Sequence, residues 1–178
     1  MRIIIYLIED EVEDARKLIE VLNEQAKQRN TKTEKYEFKL LRGTNKRVFN
    51  DREYYFYEET IINTIRERFD AENTEDVRIG ILLDIMLTEK DVKSMYAHYY
   101  PDADIAKKIY FEYSDTMPIY LISAFPGFAT QCEVIMGRDL SDTFITKNAI
   151  LRYNIQLDID KMFHFFKNNV KAGGAEGV

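Results

Sequence analysis

The stretch from Arg78 to Leu87 is an almost unbroken apolar run that contains a single carboxylate, Asp84. Its length and its content of Ile and Leu predict a strand buried on both faces, as in the middle of a parallel sheet covered by helices. An ionised carboxylate in such a strand is costly unless it lies at the carboxyl end, where a cation or hydrogen-bond donors offset the loss of water. The run therefore predicts a site at the strand's end, or an Asp84 that only caps the following turn.

The same pattern occurs at the amino end of the chain, where the apolar residues Ile3 to Ile8 run directly into Glu9, Asp10 and Glu11. Two more short apolar strands are predicted later in the chain, and they end at Ser123 and at Lys147. Helical periodicity between the strands indicates an α/β chain with a doubly wound, five-stranded parallel sheet in the order 2-1-3-4-5. In that order the carboxyl ends of strands 1 and 3 flank a crevice. We therefore expect the acids, the hydroxyl and the lysine to collect on one side of the sheet.

Two segments exceed what this fold needs, because connections in such sheets usually take about 2–6 residues. Residues 43–57 combine basic side chains with the aromatic run from Tyr54 to Tyr57, which predicts a hairpin or strand extension inserted after strand 2. Residues 88–103 are polar with interspersed tyrosines, which predicts a long loop. We expect residues 1–170 to form a single domain and residues 171–178 to form a flexible tail.

The composition is typical of one ordinary domain: 46% of the 178 residues are hydrophobic and 31% are charged. A formal net charge of -6 argues against binding nucleic acid through the overall field, because neutralising phosphates needs clustered Lys and Arg. The apolar run at the amino end is too short to span a membrane. The only cysteine, Cys132, cannot form an internal disulfide, which favours a reduced, cytoplasmic setting.

The residues at the strand ends predict a particular chemistry. Carboxylates from two strands form a hard oxygen site that suits Mg²⁺, which takes few protein ligands and keeps several waters. A lysine beside such a site balances the charge of a visiting phosphoryl group, and Ser123 is placed to donate a hydrogen bond to another phosphoryl oxygen. The arrangement suits formation of an aspartyl phosphate with Asp84 as the nucleophile.

These residues resemble a known family, the receiver domain of two-component response regulators, which has a flavodoxin-like fold. The resemblance rests on four motifs at strand ends, in order: Leu7-Ile8-Glu9-Asp10-Glu11, Leu82-Leu83-Asp84-Ile85-Met86-Leu87, Leu121-Ile122-Ser123-Ala124 and Ile145-Thr146-Lys147. It implies that Asp84 is the phosphoacceptor and that Glu9, Asp10 and the backbone carbonyl of Met86 help to hold Mg²⁺. It also implies that Lys147 pairs with the phosphoryl group, that Ser123 is the switch hydroxyl and that Phe144 is the switch aromatic residue.

The resemblance further implies a phosphorelay protein and not an enzyme with a separate substrate. Its partners would be a sensor histidine kinase or phosphotransfer protein and a downstream protein, with a homodimer also compatible. Asn148 stands where the family usually has Pro, and this departure leaves open a receiver-fold interaction module that no longer cycles phosphate. A Mg²⁺-dependent phosphohydrolase is disfavoured, because Met86 stands where such enzymes usually have a second Asp.

Overall fold

The computed structural model describes residues 1–125 and 127–170 and has an α/β architecture of seven strands and seven α-helices in that part of the chain. The strands are β1 (Arg2–Ile8), β2 (Lys35–Leu40), β3 (Asn45–Phe49), β4 (Arg52–Phe56), β5 (Val77–Asp84), β6 (Ile119–Ser123) and β7 (Phe144–Thr146). The helices are α1 (Val12–Arg29), α2 (Ile61–Glu72), α3 (Glu89–Tyr96), α4 (Asp104–Tyr113), α5 (Phe128–Met136), α6 (Lys147–Leu151) and α7 (Gln156–Asn169). A short 3₁₀ turn, Ser141–Thr143, precedes β7.

Five of the strands form one parallel sheet in the order β2-β1-β5-β6-β7. When β3 and β4 are left out of the numbering, this is the predicted order 2-1-3-4-5. Strand β1 lies between β2 and β5, and β2 is at the edge of the sheet. In this sheet Ile8 of β1 lies opposite Leu83 of β5. The register therefore ends β1 and β5 side by side at the carboxyl edge of the sheet.

Helices cover both faces of the sheet, which explains why the central strands β1 and β5 are apolar at most positions and have their charged residues near their ends. Successive residues of β1 alternate between two buried clusters: Ile4, Tyr6 and Ile8 belong to one, and Ile3, Ile5 and Leu7 to the other. The first cluster also contains residues of α2, α4 and α5, and the second contains residues of α1, α6 and α7. The continuous apolar runs thus correspond to strands buried on both sides.

The inserted segment forms an antiparallel hairpin of β3 and β4 that is separate from the main sheet. Asn50 and Asp51 make the turn with positive φ angles of 49° and 62°, a conformation that Asn and Asp tolerate better than most residues. At the other end, a Cβ atom on Gly43 would lie 2.6 Å from the carbonyl oxygen of Phe56. Gly43 therefore lets the chain pass close against the end of β4. Because β3 and β4 pair only with each other, the alternative prediction of a strand that extends the main sheet is wrong.

The predicted long loop at residues 88–103 is also wrong, because the segment contains α3. The Thr88 side chain caps this helix by accepting a hydrogen bond from the Asp91 backbone at 3.1 Å. The buried carboxylate of Asp91 in turn accepts hydrogen bonds from the backbones of Leu87, at 3.2 Å, and Ala103, at 3.0 Å. The polar side chains of Thr88 and Asp91, which suggested a loop, thus accept hydrogen bonds from backbone N–H groups in and around a short helix. The predicted tail, residues 171–178, lies outside the described residues.

Within the residues that the structure describes, none of the helices has both the length and the apolar character needed to cross a lipid bilayer.

Candidate functional site

Three acids meet at the carboxyl edge of the sheet. Glu9 and Asp10 follow β1 directly, and Asp84 is the last residue of the neighbouring strand β5. Each offers a carboxylate oxygen, and these three oxygens lie within 4.8 Å of one another. The residues are only 0%, 2% and 0% exposed, so solvent does little to screen their mutual repulsion. The structure thus brings together the acids that the sequence placed at two separate strand ends.

Lys147 supplies a positive charge to this cluster. It is the first residue of α6, directly after β7, and its ammonium nitrogen Nζ contacts Glu9 Oε1. The same nitrogen lies 3.2 Å from Asp84 Oδ2 and 4.0 Å from Asp10 Oδ1. The residue after Lys147 is Asn148, and the Thr146 side chain caps α6 by accepting a hydrogen bond from the Ala149 backbone at 3.2 Å. The lysine therefore reaches the acids from the capped start of α6.

Two carboxylate oxygens of the cluster have no hydrogen-bond partner among the residues that the structure describes. Asp84 Oδ1 accepts a hydrogen bond from the Met86 backbone at 2.8 Å, but Asp84 Oδ2 and Glu9 Oε2 are buried and accept none from that part of the chain. Asp84 Oδ2 forms an ion pair with Lys147 Nζ at 3.2 Å, but the angles between the two groups are not those of a hydrogen bond. Buried acceptors are normally satisfied, so these two oxygens have free lone pairs for a ligand.

Burial also perturbs the protonation of the site. Loss of solvent, and then the charge of Asp84, raise the pKa values of Glu9 and Asp10 well above their usual range, and Lys147 offsets this only in part. Burial tends to lower the pKa of Lys147, but the surrounding acids outweigh it and hold that pKa well above its ordinary value. Lys147 therefore keeps its positive charge while it faces three acids. Additional positive charge at the site would be electrostatically favourable.

The remaining predicted residues lie near this cluster without joining it. The Met86 backbone nitrogen donates to Asp84, which places Met86 in the loop beside the acids. Ser123 ends β6 and is buried, and its hydroxyl accepts a hydrogen bond from the Phe125 backbone at 2.8 Å. Phe144 in β7 packs half-buried on Phe128, with ring centroids 4.6 Å apart. The structure thus gives Met86 and Ser123 positions at the carboxyl edge, and gives Phe144 a packing contact.

Two residues of the site were missed by the sequence analysis. Asp14 lies in the first turn of α1, and its Oδ2 is 3.4 Å from Lys147 Nζ. Its position in the first turn of the predicted helix, directly after the Glu9-Asp10-Glu11 turn, was a usable signal, because the start of a helix lies close to the turn that precedes it. Tyr57 hydrogen-bonds to the backbone of Glu9 from a segment nearly fifty residues away, and no local pattern indicates such a contact.

A cleft of about 600 Å³ opens beside the lysine. Its walls combine an aromatic and apolar part with charged and polar groups, and its lining residues are Glu11, Asp14, Arg52, Tyr54, Met95, Tyr96, His98, Ala124, Phe125, Lys147, Asn148 and Leu151. The hairpin contributes Arg52 and Tyr54, and α3 contributes Met95 and Tyr96. Both excess segments therefore border the cleft beside Lys147.

Comparison with known proteins adds little to this geometry. No family model and no curated protein sequence matches the chain. Among solved structures, a fusion protein that carries a segment of the yeast Spc42 trimeric coiled coil is similar at 14% identity and a TM-score of 0.45. The similarity covers 93% of this chain and 82% of that chain. A likeness at this level carries no information about fold or function.

Proposed function

We propose that this protein is a flavodoxin-like receiver domain that accepts a phosphoryl group on Asp84 in a Mg²⁺-dependent reaction. One observation carries the proposal: Glu9, Asp10 and Asp84 converge at the carboxyl edge of a parallel sheet, with the Lys147 ammonium 3.2 Å from Asp84. In doubly wound sheets ligands bind outside the carboxyl ends of the strands, where the order reverses. Here that position lies between β1 and β5.

The residues present fit a divalent cation. Glu9, Asp10 and Asp84 would hold it, and two of their buried oxygens have no hydrogen-bond partner within residues 1–125 and 127–170. All three are hard oxygen donors of the kind that Mg²⁺ prefers, and the excess of acids over Lys147 favours added positive charge. Bound there, the cation would supply neutralisation of charge on the phosphoryl oxygens.

Phosphoryl transfer needs a nucleophile and a counter-charge from the chain itself. A carboxylate oxygen of Asp84 attacks the phosphorus of the donor and forms a new P–O bond. The bond between phosphorus and the donor breaks, and the leaving group, acetate from acetyl phosphate or imidazole from phosphohistidine, takes the electron pair. Lys147, which stays protonated because of the surrounding acids, exchanges a carboxylate partner for a phosphoryl oxygen.

Signalling would follow from rearrangement at the neighbouring strand ends. The Ser123 hydroxyl, which accepts a hydrogen bond from the Phe125 backbone, would donate one to a phosphoryl oxygen, and Phe144 would change its packing on Phe128. The proposed donor is a sensor histidine kinase or phosphotransfer protein, and the proposed receiver of the signal is a downstream protein. The site then acts by changing a protein surface, without a separate substrate of its own.

The test is incubation with acetyl phosphate and Mg²⁺ followed by intact-mass measurement. We expect the wild type to gain one phosphoryl group and the Asp84→Asn variant to gain none, because the amide is not a nucleophile. Asp115→Asn is a matched control, because Asp115 is exposed on the surface, and it should phosphorylate like the wild type.

Absence of the mass increment in the wild type, together with no response to beryllium fluoride as a phosphoryl mimic, would contradict the proposal. That result would favour a receiver-fold interaction module that no longer cycles phosphate. An increment that survives in Asp84→Asn would place the phosphoryl group on another residue.

A further inference from the structure

The hydroxyl group of Tyr57 joins two strand ends at the acidic cluster. Tyr57 follows β4, is 3% exposed, and donates a hydrogen bond to the carbonyl of Leu41 at 2.5 Å. The same oxygen lies 3.2 Å from the carbonyl oxygen of Glu9 and accepts from the Glu9 backbone nitrogen at 3.3 Å. It therefore contacts both main-chain polar groups of a residue whose side chain belongs to the acidic cluster.

The main chain of the same segment reaches both loops that carry the acids. The Tyr55 backbone nitrogen donates to the Asp10 carbonyl at 2.6 Å, and the Tyr57 backbone nitrogen donates to the Leu87 carbonyl at 2.9 Å. Asp10 belongs to the loop after β1, and Leu87 belongs to the loop after β5, three residues beyond Asp84. A single extended segment, residues 55–57, thus ties the two loops to each other across the edge of the sheet.

The outer part of the hairpin holds this segment in place. Tyr54 forms an isolated antiparallel bridge with Glu11, and the Arg52 guanidinium lies 2.9 Å from the Glu11 carboxylate. Tyr54 and Phe56 pack against Val92 of α3 in a small cluster of their own. Contacts from both sides therefore fix residues 55–57, and the segment is not a loose connection.

Fixing the loops has a physical consequence for cation binding. The three carboxylates repel one another when no cation lies among them, so unrestrained loops would separate and binding would have to bring them back. A segment that already holds both loops removes the free-energy cost of bringing the acids together. Groups that hydrogen-bond to metal ligands commonly orient the ligands in this way. The inserted hairpin thus preorganises the acids before the cation arrives.

We propose that Tyr57 is a positioning residue for the divalent-cation site, acting through its hydroxyl on the Glu9–Asp10 turn. This role rests on the proposed function, since it concerns the same three acids. The ligand class is a hard divalent cation, with Mg²⁺ as the probe. The hydroxyl acts on the main chain of Glu9 and does not itself bind the cation.

The test compares Tyr57→Phe with Tyr113→Phe in the full chain. Tyr113 is a matched control, because it is also buried, 4% exposed, and its hydroxyl also donates to a backbone carbonyl, that of Ile62, but between α4 and α2. Both variants lose one buried hydroxyl of the same kind. Mg²⁺ affinity is measured by calorimetric titration, and thermal unfolding is recorded without Mg²⁺.

We expect Tyr57→Phe to weaken Mg²⁺ binding about tenfold, the lower end of the effect of removing groups that orient metal ligands. Tyr113→Phe should bind within about twofold of the wild type, although both variants melt at lower temperature. In a titration of the phosphorylation rate with Mg²⁺, Tyr57→Phe should need more cation but reach the wild-type rate at saturation.

The outcomes separate this role from the proposed function. Wild-type protein that binds Mg²⁺, with Tyr57→Phe binding equally well, overturns the positioning role alone. Equal weakening in both variants also overturns it, because the effect would then be general loss of stability. A wild type that binds no Mg²⁺ overturns the proposed function and this role together.

Discussion

Replacing Asp10 by Asn should stabilise the protein in the absence of divalent cations while removing its response to them. The change keeps the shape of the side chain and deletes one of three buried negative charges. Like charges at this separation are unfavourable in a buried site, so the proposed cation site would be kept at the expense of stability.

The magnitude follows from the distances. At 4.8 Å and an effective dielectric constant of about 20, each like-charge pair costs about 3.5 kcal/mol. Asp10 makes two such pairs, with Glu9 and Asp84, and its attraction to Lys147 at 4.0 Å returns about 4 kcal/mol. The net penalty is about 3 kcal/mol. Because the raised pKa values make ionisation of Glu9 and Asp10 less favourable, this fully charged value is an upper limit, and we expect Asp10→Asn to raise the free energy of unfolding by about 1–3 kcal/mol.

Thermal and chemical unfolding measure this gain. For a domain of this size about 1 kcal/mol corresponds to about 2–4 °C, so a gain of about 1–3 kcal/mol should raise the melting temperature without Mg²⁺ by about 2–12 °C. Asp115→Asn, an exposed control, should stay within about 0.5 kcal/mol of the wild type. With Mg²⁺ at a hundred times its dissociation constant the wild type should gain about 2.7 kcal/mol, and the variant should gain much less.

The pH dependence provides a second measurement of the same change. The pKa of Asp10 is raised above its ordinary value of 3.8, so the folded protein keeps protons that the unfolded chain releases. Without Mg²⁺ the stability contributed by these protons is therefore present at low pH and is lost as pH rises through the raised pKa values of Glu9 and Asp10. The stability of Asp10→Asn should therefore fall less steeply with rising pH than that of the wild type.

A variant that is less stable than the wild type, or that gains as much stability from Mg²⁺, would refute this reasoning. The first result would mean that the Lys147 attraction exceeds the repulsion among the acids. The second would mean that the cation binds elsewhere.

Two further substitutions test the excess segments. Gly43→Ala should lower the free energy of unfolding by about 1–3 kcal/mol, because its Cβ would lie 2.6 Å from the Phe56 carbonyl oxygen and must displace the hairpin. Thr44→Ala is the exposed control in denaturant melts, and equal unfolding midpoints for the two variants would show that the hairpin is not held at Gly43. Asp91→Ala should cost about 2–4 kcal/mol, because two buried backbone donors lose their acceptor, and a loss below about 0.5 kcal/mol in the same melts would show that water replaces the carboxylate.

Local sequence patterns were sufficient for the sheet and for the acids at its edge. Continuous apolar runs at Ile3–Ile8 and before Asp84 can be buried only on both faces, and parallel strands end at the same edge, so Glu9, Asp10 and Asp84 were predicted to meet. The order of the five sheet strands is confirmed, and so is a hairpin in the insertion. The helix in residues 89–96 was missed, because its few apolar residues give little periodicity and Thr88 was not recognised as its cap.

Contacts between distant segments were decided only by the tertiary structure. The sequence placed Lys147 at a strand end, but which acids its ammonium contacts depends on how α6 begins after β7. The bond from the Tyr57 hydroxyl to the Glu9 backbone is invisible to periodicity, because hydrogen bonds across the sheet edge depend on the path of the whole hairpin. Burial patterns repeat along the chain and can be read locally, whereas the direction of a single polar group is fixed only when all of its neighbours are in place.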